Sequence, residues 1–141
     1  MAADRANVPV DLAECPCAGG TLDKLIQPAI LVILARGSLH GYRIVEQLGD
    51  MKILGGHKPD ASGVYRFLKM METKGLVVSS WDTSQAGPAK RVYQVTASGQ
   101  SCLCQWITTL EAYRDGITHL LKAARKAVAR PHVRPSVVSS R

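Results

Sequence analysis

The stretch DASGVYRFLKMMETKG, residues 60–75, decides how the rest of the chain is read. Asp60 is a good N-cap, because a carboxylate accepts from the free N–H groups of a first helical turn. Val64, Phe67, Leu68 and Met71 then fall on one helical face, and Gly75 supplies a C-terminal stop. The spacing predicts a helix over 61–74. With its apolar stripe turned to a core, Ser62, Tyr65, Arg66, Lys69 and Thr73 face outward, and Lys58 lies just upstream of the helix N-terminus. Hydrogen-bond donors and cations presented this way suit a DNA major groove, where Arg and Lys reach guanine edges and hydroxyls hold phosphates. Taken alone, such a face is equally that of any solvated helix.

Downstream, Leu76 to Trp81 alternates and is rich in β-branched residues, which predicts a strand. The polar stretch Asp82 to Ala89, with Gly87-Pro88, is a turn, and Lys90 to Val95 is a second strand. Lys90 and Arg91 stand at the base of that turn, where they would grip flanking backbone; Trp81 and Tyr93 read as cross-strand packing residues. Thr96 caps a long helix. Its Leu103, Trp106, Ile107, Leu110, Tyr113, Ile117, Leu120, Leu121 and Ala124 keep a seven-residue repeat over three heptads. A helix of roughly 30 residues is about 45 Å long, more than so small a domain covers. A second subunit's helix is the simplest cover for the remainder.

Upstream, Leu22, Leu25, Ile26, Ala29, Ile30, Ile33 and Leu34 follow a helical period. Pro28 belongs in the first turn of that helix, and Gly37 and Ser38 end it. A second helix spans Gly41 to Asp50, burying Ile44, Val45 and Leu48, and a connector runs from Lys52 to Pro59. The order helix, helix, helix, strand, strand, long helix predicts a mainly α fold with a small β-hairpin (α+β). It is that of a winged helix-turn-helix followed by a dimerisation helix. The expected organisation is a flexible leader at 1–20, a DNA-binding domain at 21–96, the dimerisation helix at 97–129 and a disordered basic tail at 130–141.

Composition agrees. The 141 residues suffice for one domain with a core that needs no staple. Lys and Arg number 18 against 11 acids, a net charge of +7 that suits a polyanionic partner. Between Lys58 and Arg91 there are six basic and three acidic side chains, so the excess is concentrated where the groove-facing helix and hairpin lie. The longest apolar run, Ala29 to Ala35, has seven residues, too few for a membrane span, and no apolar segment follows a basic start as in a signal peptide. The expected compartment is the cytoplasm, where four cysteines stay thiols. Cys102-Leu-Cys104 repeats the spacing of Cys15-Pro-Cys17, but C-x-C on a helix aims two thiolates about 200° apart. Cys15 and Cys17 in the leader could chelate, yet two ligands make a poor site; no cofactor or metal is expected. No G-x-S-x-G, P-loop or H-E-x-x-H motif occurs, and His40, His57, His119 and His132 have no paired nucleophile, so an enzyme is not expected.

His40-Gly41-Tyr42 followed by Ile44 resembles the signature of the PadR family of bacterial transcriptional regulators. Ser62-Gly63-Val64-Tyr65 with Leu68, then Met71-Glu72 and Lys74-Gly75-Leu76-Val77, resemble that family's recognition helix. Gly87-Pro88-Ala89-Lys90-Arg91-Val92-Tyr93 and Val95-Thr96-Ala97-Ser98-Gly99 resemble its wing and the start of its last helix. The likeness runs over about residues 22–125. It implies a homodimer that binds a palindromic operator in double-stranded DNA, usually as a repressor released by a small-molecule effector. By position, Tyr42 and Tyr65 would contact phosphates, Ser62, Arg66 and Lys69 would lie at or near bases, and Lys90 and Arg91 would serve the wing. Gly63 stands where the family often has Thr, which loses a hydroxyl and implies a more mobile helix start; Arg66 stands where Pro is frequent, which adds a cation.

Each assignment has a plainer counterpart. For Tyr42 and Tyr65 the alternative to phosphate contact is simple packing with the hydroxyls in water. His40 reads as a helix-cap or packing residue, and Gly41 as a device for a tight helix start. Some family members hold flat aromatic compounds between subunits, and here Trp106 and Leu110 lie on the corresponding seam; ordinary dimer core is the alternative. Two other functions compete: a winged helix used as a protein-binding adapter, and sequence-nonspecific DNA binding. An adapter would expose apolar residues on helix 61–74, where this chain has Arg66 and Lys69.

Overall fold

A computed structural model of the chain describes residues 12, 23–51, 59–84 and 86–130. The expected leader (apart from Leu12), Lys58, Cys15, Cys17 and the tail beyond Arg130 lie outside the described residues. A single tight turn, Asp23–Leu25, leads into α1 (Ile26–Ala35). Pro28 sits in the first turn of α1, where a missing N–H breaks no helical bond. Ile26, Ala29, Ile30, Leu31, Ile33 and Leu34 are all buried, so α1 is apolar almost all round and runs through the core.

Next come β1 (Leu39–His40), α2 (Gly41–Asp50) and α3 (Ala61–Thr73). Ile44 and Leu48 of α2 are buried, as are Val64, Leu68 and Met71 of α3, each set at helical spacing toward α1. Val45 and Phe67, expected in the core, are half-buried at its margin. The C-terminus of α3 closes as a Schellman motif: Gly75 N–H donates to the Glu72 carbonyl (3.0 Å) and Leu76 N–H to the Met71 carbonyl (2.9 Å), with Gly75 at φ +79°. The Leu76 amide is therefore spent on the helix, and β2 starts one residue later than the sequence suggests, at Val77–Asp82.

β3 (Lys90–Val95) pairs antiparallel with β2, from Val77 opposite Val95 to Asp82 opposite Lys90. The expected two-stranded hairpin is in fact three-stranded, in the order β1-β3-β2. Leu39 pairs with Tyr93 and His40 with Val92, which covers the other edge of β3. Alternation puts Val77 and Tyr93 into the core.

Thr96 joins the sheet to α4 (Ala97–Ala129). Its hydroxyl donates to the Gly75 carbonyl (2.6 Å) and accepts from Gly99 N–H (3.0 Å), and its own N–H donates to the Leu76 carbonyl (3.0 Å). Gly99 is buried against that same Leu76 carbonyl, where any Cβ would collide with backbone and with Val95. The chain falls into two compact units divided between Leu103 and Cys104. In the second, every residue from Glu111 to Arg130 is exposed. Among the described residues, no helix is long and apolar enough to cross a membrane.

Candidate nucleic-acid interface

The face of α3 opposite its buried stripe carries Ser62, Tyr65, Arg66, Lys69 and Thr73, all exposed. Met70, at the edge of that face, is the exposed large apolar side chain there besides Tyr65. Asp60 caps the helix as expected, its Oδ2 accepting from Gly63 N–H at 3.1 Å. That bond holds the first turn of α3, where glycine alone would leave it loose. The Thr73 hydroxyl donates to the Lys69 carbonyl (3.0 Å) and so is committed to its own helix.

A second group gathers at the N-terminus of α2. Gly41 has an ordinary negative φ, so its backbone does not call for glycine; the demand comes from outside. A Cβ at Gly41 would lie 2.6 Å from Cε1 and 2.9 Å from the hydroxyl oxygen of Tyr65. The expectation that Gly41 serves a tight helix start is thus replaced by a contact: it makes room for the Tyr65 ring of α3. Beside it, Tyr42 is 46% exposed, with the Lys90 ammonium 5.1 Å from its ring centroid. His40 stacks on Tyr42 at 5.7 Å and 29°. Tyr42, Tyr65 and Lys90, from α2, α3 and β3, therefore meet around one helix N-terminus, whose free N–H groups favour anions.

Lys90 and Arg91 diverge, as neighbours on a strand must. Arg91 turns to the other face of β3, over the ring of Trp81 at 5.1 Å. Its Nε donates to the Ser79 hydroxyl (2.9 Å), which donates in turn to Glu72 Oε2 (2.7 Å). Tyr93 packs across the strands, opposite Leu39 and Ser79, and is buried in the core, where burial pushes its phenol pKa up. Trp81 also packs across the strands, but at the exposed end of the sheet: it opposes Arg91 on the ladder and is 61% exposed.

His40 does not cap α2 with its side chain. Its Nε2 instead donates to Asp82 Oδ2 at 2.9 Å. Asp82 Oδ1 accepts the Ser84 hydroxyl (2.6 Å) and the Ser84 N–H (3.0 Å). These bonds, Ser84's first and His40's after them, pull the Asp82 pKa down from 3.8 to about 2. The sequence indicates a cross-strand role for Trp81 but not its Arg91 partner, and it gives no sign of the His40–Asp82 pair. The strand alternation that parts Lys90 from Arg91 was there to be read; a contact between residues 42 apart was not.

On α4, Leu103, Trp106 and Leu110 are half-buried, while Ile107, Tyr113, Ile117, Leu120 and Leu121 are exposed. Cys102 is half-buried and Cys104 exposed, both as free thiols. Among the described residues, no three metal-ligating side chains converge.

The sequence profile of the transcriptional regulator PadR-like family matches residues 30–105. Among solved structures, the chain is similar to a candidate transcriptional regulator from Thermoplasma acidophilum, at 30% identity and a TM-score of 0.64 over 72% of this chain and 94% of that one. It shares its fold with a PadR family transcription regulator from Clostridium difficile (22% identity, TM-score 0.60, 69% and 98% of the two chains). A PadR-like transcriptional regulator from Bacillus cereus is similar in the same way (21%, 0.61, 71% and 94%). No curated protein matches the sequence.

Proposed function

The chain belongs to the transcriptional regulator PadR-like family, and from that premise we propose that it is a cytoplasmic repressor, acting as a homodimer on a palindromic operator and released by a small-molecule effector. The observation that carries the reading is the pairing of an exposed polar helix face with the α2 N-terminal cluster on the same winged unit. Ser62, Arg66 and Lys69 read or approach bases in the major groove. Tyr42, Tyr65 and Lys90 hold phosphate beside it, Lys58 adds charge upstream of α3, and Arg91 serves the backbone on the wing's other face.

The heptad seam of α4 supports the dimer: Leu103, Trp106, Ile107, Leu110, Tyr113, Ile117, Leu120 and Leu121 form a stripe that one chain leaves substantially uncovered. A flat aromatic effector would lodge on the same stripe near Trp106 and Leu110. Selection of bound fragments from genomic DNA tests the proposal. The expected product is a palindrome with half-sites about 34–36 Å apart, one helical turn; indifferent recovery of all fragments would leave only charge-driven binding. On the selected site, Arg66→Ala is expected to relax sequence preference and cost about 1–3 kcal/mol. Equal losses on operator and random DNA would mean that Arg66 reads no base.

A further inference from the structure

Lys90 and Asp82 face each other across the β2–β3 ladder. Opposite charges in that relation attract, and an ion pair between them would be the default. No such pair of 4.0 Å or less forms between these two described residues. The acid is already occupied: Ser84 supplies two hydrogen bonds to Oδ1, and His40 supplies one to Oδ2. The Lys90 ammonium lies instead over Tyr42, whose ring stacks on the same His40. His40 thus touches both the acid that would capture Lys90 and the aromatic ring that receives it.

We infer that His40 is a positioning residue for DNA binding: by holding the Asp82 carboxylate and backing the Tyr42 ring, it keeps Lys90 un-neutralised and aimed at phosphate. The inference rests on the DNA-binding reading above for its purpose, and on β1, β2 and β3 for its geometry. Without the His40 N–H, Asp82 Oδ2 is left with an unused acceptor site on the residue opposite Lys90 in the ladder. Lys90 then swings from Tyr42 to Asp82, and one phosphate contact is lost without any cation being removed.

The test follows the salt dependence of DNA binding by the full chain. Lys90→Ala is the reference and, removing one contact from each subunit of the dimer, lowers the slope of log affinity against log salt by about two. His40→Ala is expected to produce the same fall, so that between 50 and 200 mM salt the dimer loses roughly 12-fold less affinity than the wild type. Asp82→Asn added to His40→Ala restores the slope, because a neutral amide cannot capture Lys90. His40→Gln keeps an N–H donor and retains the wild-type slope, which covers the case in which His40→Ala folds poorly. A slope unchanged by His40→Ala, or a double variant no better than the single one, overturns the inference.

A second readout needs no DNA. The Lys90 methylene protons beside the ammonium are shifted upfield by the Tyr42 ring in NMR spectra. That shift is expected to vanish in His40→Ala and return in the double variant. If it does so while the wild type binds no DNA, the DNA-binding reading has failed and the positioning stands. If DNA binds and the shift survives in His40→Ala, the positioning has failed and DNA binding stands.

Discussion

The winged unit and the outer part of α4 are built from similar aliphatic side chains and treat them in opposite ways. Ile30, Leu31, Ile44 and Leu68 have no exposed surface, whereas Ile117 is 62% and Leu120 70% exposed. Both regions keep a regular apolar period; only the first closes its core within a single chain. Fully covering a side chain such as Ile117 or Leu120 contributes about 1.5–3 kcal/mol, and that gain is still open to a second subunit. Folding of the winged unit and the proposed pairing through α4 therefore draw on separate residues and can be perturbed separately.

The largest effect is expected from the closed region. Leu68→Ala should lower stability in urea unfolding by about 2–5 kcal/mol, the range for a buried leucine whose surroundings cannot fully collapse. A loss well under 1 kcal/mol would mean that the core is less tightly closed than its burial indicates. The seam provides the contrast. Ile117→Asp should leave the stability of the single chain within about 0.5 kcal/mol, as for an exposed position, while halving the apparent mass in size-exclusion chromatography. A variant that stays dimeric would move the interface away from the heptad stripe.

A smaller, favourable effect is expected at the start of α3. A Cβ at Gly63 would lie 3.4 Å from Asp60 Oδ2 and 3.6 Å from Arg66 Nη2, both ordinary contacts. Gly63→Ala should therefore stabilise the fold by about 0.5–1 kcal/mol, the usual gain when glycine leaves a helix; thermal unfolding checks it. The smallest effect is a titration. The Asp82 pKa is about 2 when folded against an ordinary 3.8, so its contribution is fully present above 3.8 and is lost as pH falls toward 2. The stability advantage of wild type over Asp82→Asn should be constant at neutral pH and shrink across that acid window. An advantage that persists at pH 2 would show that the carboxylate's bonds to Ser84 and His40 do not matter to folding.

The parts legible in the sequence were those carried by local chemistry. The Gly41–Asp50 helix, the Asp60 and Thr96 caps and the Lys90–Val95 strand rest on side chains within a few positions of one another, and each occurs where its residues indicate. Two-residue β1 was not legible, because its identity as a strand lies wholly in its pairing with β3. The outward set on α3 followed from helical periodicity. What the candidate site does with its wing cations did not: Gly41 makes way for Tyr65, and His40 reaches Asp82, through contacts that exist only after the sheet has formed.

The exposed indole of Trp81 has one further consequence. The chain contains two tryptophans, one on the wing and the other, Trp106, on the long helix. Indole fluorescence answers to local polarity and to neighbouring charge, and Trp81 already carries Arg91 on its face. The protein thus has a native optical reporter at each of its two proposed binding surfaces. With either indole replaced by phenylalanine, emission from the other distinguishes an event at the wing from an event along the seam.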